Sequence, residues 1–213
     1  MERLDKILSS QGVGSRKEAG ILIRRGLVHV NGILATRPET KTDPERDQIT
    51  IEGKPLRFQR HVYLMMNKPA GVVSASRDSR EKTVVDLVPP ALSRRDLFPA
   101  GRLDRDTTGL LILTDDGELA HRMLSPKKHV YKLYEASVDG PVGAEEIEKF
   151  AAGVALEDGT VCLPAGLTVV KQGTVWETLV EIREGKFHQV KKMFLAVGRR
   201  VLRLKRVRIG GLE

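Results

Sequence analysis

The run Leu110-Leu111-Ile112-Leu113 leaves the fewest options open in this 213-residue chain. It is short, unbroken and apolar, with charge on one side and a turn on the other, and it reads as a buried strand. Thr114-Asp115-Asp116-Gly117 follows as a turn that opens a helix. Further apolar segments lie at 62–66, 130–138, 167–171, 175–182 and 201–209, and helical patterns lie near 117–124, 144–152 and 188–197. Strands interspersed with helices at hairpin-like spacing predict an α+β domain. Its sheet is expected to be mixed and largely antiparallel, flanked by helices.

Residues 1–56 carry a different pattern. Leu4, Ile7 and Leu8 have helical spacing, and Gly12 and Gly14 end that helix. Ser15-Arg16-Lys17-Glu18 has the form of a capping box, in which hydroxyl and carboxylate satisfy each other's backbone amides. The second helix turns Ala19, Leu22 and Ile23 inward and leaves Arg16, Lys17, Arg24 and Arg25 to solvent, with Gly26 as its cap. Asn31-Gly32 between short apolar segments predicts a hairpin, because both residues tolerate positive φ. Gln48-Ile49-Thr50-Ile51 is another short strand, and residues 57–61 read as a linker. The expected division is therefore a small helix–helix–hairpin domain over 1–60 and a larger α+β domain over 61–213.

Charge narrows the partners. The net charge is +8, and residues 183–208 hold ten Lys/Arg against one Asp/Glu, so the remainder sums to about −1. Such a field suits a polyanion. No apolar run approaches the roughly 18–20 residues that cross a bilayer. The N-terminus MERLDKILSSQG is charged rather than signal-like, which predicts a cytoplasmic protein without membrane contact. The lone Cys162 reads as a small buried residue. His121, His129 and His188 fall in separate segments without an i, i+4 pair, so no metal is expected, and there is no Gly-rich phosphate loop. No surplus apolar face is evident, which points to a monomer.

Just before the apolar run stand Arg102-Leu103-Asp104-Arg105-Asp106. If the chain is extended there, Arg102, Asp104 and Asp106 share one side. A nearby cation favours the charged form of a carboxylate, and a positioned carboxylate suits a nucleophile. Taken alone, the same residues equally describe a structural ion-pair cluster, and their spacing identifies no substrate.

Longer stretches resemble known families. R-L-D-K at 3–6, S-R-K-E-A at 15–19 and G-L-V-H-V-N-G at 26–32 resemble the S4 RNA-binding domain. That resemblance implies that Arg3, Lys6, Arg16, Lys17, Arg24 and Arg25 grip structured RNA. G-R-L-D-R-D-T-T-G-L-L-I-L-T-D-D-G at 101–117 resembles the active-site signature of the pseudouridine synthases. Asn67-Lys68-Pro69-Ala70-Gly71, Lys132-Leu133-Tyr134 and the segment Glu184–Phe194 agree with that family's other motifs, in the same order. The match is to the branch that carries an S4 domain and modifies small-subunit ribosomal RNA.

The resemblance implies isomerisation of uridine to pseudouridine within RNA, with no cofactor, on 16S rRNA of an assembling small subunit. It makes Asp104 the catalytic carboxylate, acting on the sugar, on the base or as a base toward the sugar. It makes Tyr134 the ring that stacks on the everted base, Lys191 the cation beside Asp104 and Val190 an apolar neighbour of Tyr134. Arg102 is expected to anchor the loop or fill the space of the flipped base. Arg105 and Lys192 are expected to touch RNA, and Lys68 and Pro69 to shape the site. A relative acting on 23S rRNA, an S4-containing assembly factor without chemistry, and a glycoside hydrolase using Asp104 and Asp106 are the alternatives. Relatives continue past Ile209-Gly210-Gly211 with a further strand and an acidic tail, which is expected to be missing here.

Overall fold

A computed structural model describes residues 1–92, 96–125, 128 and 130–213; His129 lies outside them. The chain forms two compact units. One comprises Met1–Val62 and Val88–Leu97, the other Tyr63–Leu87 and Phe98–Glu213.

In the first unit, β1 (Glu2–Arg3) leads into α1 (Leu4–Ser10) and then α2 (Arg16–Arg24). The Ser15 hydroxyl accepts from the Glu18 amide at 3.3 Å, and the Glu18 carboxylate accepts from the Ser15 amide at 2.6 Å. The capping box therefore closes as its sequence demands. β2 (Val28–Val30) and β3 (Ile33–Leu34) form the hairpin, with Asn31 at φ 53° and Gly32 at φ 78°. β4 (Lys41–Thr42) returns to pair with β1. β5 (Ile49–Ile51) and β6 (Lys54–Pro55) complete an antiparallel sheet of order β3-β2-β5-β6. Leu4, Ile7, Leu8, Ala19, Ile23, Val28 and Ile49 form its core. The helical spacing of the first five residues puts them on inward faces, where burial of each large side chain is worth about 1.5–3 kcal/mol.

The second unit is built on one sheet. In chain order its elements are β7 (Tyr63–Lys68), β8 (Phe98–Pro99), β9 (Thr108–Thr114), α3 (Gly117–Leu124), β10 (Lys132–Val138) and α4 (Ala144–Ala152). They continue with β11 (Gly166–Lys171), β12 (Trp176–Ile182), α5 (Gln189–Ala196) and β13 (Val201–Ile209). The strand order is β11-β12-β10-β13-β9-β7, with β8 also on β9. Only β13 and β9 run parallel, so the sheet is mixed and largely antiparallel as expected.

The run 110–113 is buried throughout β9. Asp116 caps α3, accepting from the Leu119 amide at 2.9 Å and from the Tyr63 hydroxyl at 2.8 Å. Gly109, at φ 101°, lets β9 approach β13: a Cβ there would lie 2.1 Å from the Arg206 carbonyl oxygen. No other residue type tolerates that approach without moving one strand. Among the described residues, no helix is long and apolar enough to cross a membrane.

Candidate active site

The site is built where the chain leaves β8 and enters β9. The segment between them is a folded loop, not the extended chain on which the sequence reading placed Arg102, Asp104 and Asp106 on one side. The Thr107 amide donates to the Asp104 carbonyl at 3.1 Å, closing a turn just after Asp104. The Ser74 hydroxyl donates to the Leu103 carbonyl at 2.8 Å and accepts from the Leu103 amide at 3.0 Å.

Lys68, the last residue of β7, is wholly buried beneath this loop. Its ammonium lies 2.9–3.2 Å from the carbonyl oxygens of Pro69, Asp104, Arg105 and Thr107. Four carbonyl dipoles thus replace its water. Burial pushes its pKa down, with Asp106 and Asp104 acting in the opposite direction. The loop-anchoring role expected of Arg102 belongs instead to Lys68 and Ser74. Arg102 is exposed at the pocket rim and makes no hydrogen bond or ion pair among the described residues.

Asp104 receives its partners from α5. Lys191 Nζ lies 3.1 Å from Asp104 Oδ2 and 2.6 Å from Asp106 Oδ1, while His188 Nε2 lies 3.5 Å from Asp104 Oδ1. The amphipathic turn of α5 explains the placement. Val190, Met193 and Phe194 go into the core, which leaves Lys191 facing the loop. Burial is the largest single influence on the Lys191 pKa and opposes the charge, but the interactions with Asp106 and Asp104 outweigh it and the net direction is up. The Lys191 hydrogen bond holds the Asp106 carboxyl below its usual range, against the effect of burial.

His188 adopts the left-handed conformation, φ 54°, at the start of α5. Histidine is among the non-glycine residues that enter this region most readily. The turn sets the Phe187 ring outward, 71% exposed and stacked on the His188 ring at 3.8 Å between centroids. Gln189 braces the segment, donating to Glu184 Oε1 at 2.8 Å and accepting from the Lys186 amide at 2.9 Å.

Asp104 opens onto a cavity of about 540 Å3 that Tyr134, Val190, Arg102 and Arg105 also line. Tyr134 is buried on β10, opposite Arg206 of β13 in register. Arg206 Nε donates to the Leu110 carbonyl at 2.8 Å, and its Nη1 lies 3.5 Å from the Tyr134 hydroxyl. Lys132, two residues before Tyr134 on the same face, lines the cavity as well and is buried. Burial pushes the Lys132 pKa down, and the Arg206 charge adds to that. Arg105 turns away to Gly71 and Glu81. Lys192 lies outside the cavity lining, paired with Asp158 at 3.2 Å and 5.7 Å from the Phe187 ring centre.

The remaining basic residues divide sharply. Arg3 and Arg16 both clasp Asp5, and Lys6 pairs with Glu2. Lys17, Arg24 and Arg25 are exposed and have no ion pair among the described residues. In the basic segment 183–208, eight of the ten cations carry an ion pair, on β13 with Glu135 of β10 and with Glu177 and Glu181 of β12. The linear run of charge is therefore largely neutralised in the fold. The sequence set Asp106 beside Asp104 but not in contact with Lys191, and the approach of His188 to Asp104, the exposed Phe187 ring and the Lys132–Arg206 pair beside Tyr134 come from the fold alone. Asp106 lies in the 101–117 motif, Phe187 and His188 lie in the Glu184–Phe194 motif and Lys132 lies in Lys132-Leu133-Tyr134, whereas Arg206 lies in none of them.

Comparison with known proteins agrees over both units. Residues 62–196 match the RNA pseudouridylate synthase family and residues 2–49 match the S4 domain. An uncharacterised RNA pseudouridine synthase of Bacillus subtilis is 46% identical over 210 residues, covering 98% of this chain and 87% of that protein. Ribosomal small subunit pseudouridine synthase A of Escherichia coli is 41% identical over 212 residues, covering 99% and 90%. Ribosomal large subunit pseudouridine synthase B of Bacillus subtilis is 38% identical over 209 residues, covering 97% and 84%. A crystal structure of a pseudouridylate synthase superposes with a TM-score of 0.65 at 34% identity, covering 100% of this chain and 93% of the other. Matched in motif order, in fold and along nearly its whole length, the chain belongs to the RNA pseudouridine synthases, a family of isomerases, in the arrangement that places an S4 domain first in the sequence.

Proposed function

We propose that this protein converts one uridine of 16S ribosomal RNA to pseudouridine, as a cytoplasmic monomer acting on the assembling small subunit, with Asp104 as its catalytic carboxylate. The observation that carries the reading is the placement of Asp104. Its carboxylate is held by Lys191 at 3.1 Å and opens onto the cavity that Tyr134 lines. A uridine stacked in a helix hides both its glycosidic carbon and its ring faces, so the target nucleotide must be everted to reach that carboxylate. Tyr134 then offers a stacking face worth about 1–3 kcal/mol. Val190 closes the apolar side of the cavity. The N1–C1′ bond breaks, the base turns over, and C5 bonds to C1′ while a proton passes from C5 to N1. Asp104 serves the sugar or the base during the break.

Two observations favour the small subunit. The spellings Lys68-Pro69-Ala70-Gly71 and Gly185-Lys186-Phe187-His188-Gln189-Val190-Lys191 resemble that type. The small-subunit relative is also the more similar, at 41% against 38% for the large-subunit relative. For the S4 unit, Lys17, Arg24 and Arg25 are the residues proposed to meet RNA phosphate, since their charges are not already engaged. Mapping pseudouridine in 16S and 23S rRNA from cells with and without the gene tests the reading. Loss of one site in 16S is expected. Loss confined to 23S would move the target to the large subunit. Loss in neither, with wild-type protein inert on both transcripts, would leave an assembly factor that binds without chemistry.

A further inference from the structure

We propose that Lys132 and Arg206 form an anion-stabilising floor for the uracil ring, receiving the negative charge that its carbonyl oxygens acquire as the glycosidic bond breaks. The inference rests on the pseudouridine synthase reading and assigns two residues to its first chemical step.

Three observations lead there. Lys132 and Arg206 are 7% and 4% exposed, and both line the same cavity as Asp104. Neither has a carboxylate partner among the described residues, although almost every other cation of the C-terminal segment does. Arg206 Nη2 is a buried donor with no acceptor among the described residues. Two adjacent, desolvated, unpaired cations are costly for a fold to keep, and an unsatisfied buried donor adds to that cost. Such a pair is retained where something negative arrives between them.

The position of the pair selects the ligand. Arg206 is in register with Tyr134, and its guanidinium carbon lies 6.0 Å from the Tyr134 ring centre. A pyrimidine stacked on the Tyr134 ring beside that guanidinium would bring its polar edge within reach of the two cations. An uncleaved uracil is neutral. When N1–C1′ breaks, the electron pair goes to N1 and delocalises onto O2 and O4, while the sugar's deficit is met by Asp104, through a bond to C1′ or by taking a sugar proton. Closure of C1′–C5, loss of the C5 proton and protonation of N1 then discharge the ring. Charge thus appears at the floor only between the two bond changes, and donors already in place at that moment accelerate the step. Phosphate groups are the other anions of RNA, but they remain hydrated along the strand, whereas these cations lie under the ring-stacking tyrosine.

The test uses full-length protein and whichever rRNA transcript, 16S or 23S, the wild type modifies, made with uridine or with 5-fluorouridine. Fluorine at C5 makes the pyrimidine a better leaving group. It also blocks the last proton loss, so consumption of the target nucleoside is followed in single turnovers. The pH is held below neutrality, where N3 of both pyrimidines stays protonated. Lys132→Met is expected to slow uridine consumption by about 10²–10³-fold, the typical effect of removing one such donor. On 5-fluorouridine the slowing is expected to shrink to roughly tenfold or less, with RNA affinity unchanged and Lys132→Arg close to wild type. Equal slowing on both substrates would overturn the proposal, because a residue that merely shapes the pocket does not sense the leaving group. Weakened binding with a smaller salt dependence and an unchanged rate would overturn it in favour of a phosphate-binding role. Should Lys132→Met fail to fold by circular dichroism, Lys132→Gln carries the same comparison. Wild-type protein inert on both transcripts would instead defeat the functional reading itself.

Discussion

At the mouth of the cavity, Lys191 stands between two carboxylates, Asp104 and Asp106. At its floor, Lys132 stands beside Arg206 with no carboxylate among the described residues. Both lysines are partly or wholly withdrawn from water, and burial works against the charge of each. Company decides the outcome: the Lys191 pKa ends above that of an ordinary lysine and the Lys132 pKa below it. The mouth is satisfied without substrate and holds its carboxylate in place. At the floor, Arg206 Nη2 has no acceptor among the described residues. The same division of paired and unpaired cations recurs on a larger scale between Arg203, Lys205 and Arg208 of β13, which face glutamates, and Lys17, Arg24 and Arg25 at α2, which do not.

The largest effect is expected at the mouth. Asp104→Asn should lower single-turnover pseudouridine formation by on the order of 10⁴-fold, as removal of a central catalytic group does, while RNA affinity in filter binding changes little. Normal turnover by this variant would remove the mouth from the chemistry.

Lys191→Met should cost about 10²-fold in rate, since it leaves Asp104 and Asp106 side by side without their shared cation. It should also flatten the dependence of thermal stability on pH at both extremes. The lowered Asp106 pKa contributes stability that is present above about pH 4 and fades as pH falls through the folded-state value. The raised Lys191 pKa contributes stability that is complete below about pH 10 and fades as pH rises through its folded-state value. Both contributions are small because Asp106 is exposed to solvent. A variant with an unchanged pH–stability curve would mean that the ion pair does not persist in solution.

The floor has its own signature in pH–rate profiles. A lysine whose pKa is lowered by burial and by Arg206 loses its proton earlier on the alkaline side than an ordinary lysine, near 10.4, would. The wild-type rate should therefore fall before that point, and Lys132→Arg should shift the fall to higher pH. An alkaline limb unmoved by Lys132→Arg would mean that another group, such as N3–H of the uracil, sets the fall.

The smallest effects compare α2 with β13. Alanine at Lys17, Arg24 or Arg25 should each lower the salt-dependence slope of RNA binding by about one unit for every phosphate that the side chain neutralises. Alanine at Arg203 or Lys205 should change the slope less, because glutamates of β12 and β10 already balance those charges. Equal slopes for the two sets would erase the distinction between engaged and free cations.

Much of this architecture was legible in the chain. Ser15 with Glu18, Asn31 with Gly32, and the run 110–113 each encode local structure through interactions within a few residues, and each appears as its chemistry requires. The family motifs placed Asp104, Lys191 and Tyr134, and the fold brings them to one cavity or its edge. The segment 101–107 was harder to read. Its turn depends on Lys68, which reaches it from a strand more than thirty residues earlier in the sequence. The basic segment 183–208 was harder still. Apart from Glu184, its neutralising carboxylates come from β10, β12, α4, the Asp104 loop and the loops carrying Asp139 and Asp158, and a count of charge within the segment contains none of those.

Sequence by itself determined the helices, the hairpin, the buried strand and the residue types available for chemistry, because caps, turns and hydrophobic periodicity act over short stretches of chain. Only the tertiary structure decided which charges are spent on one another and which remain free. Electrostatic pairing depends on distance in space and on exclusion of water, and both are set by strands that meet across the sheet from distant parts of the chain.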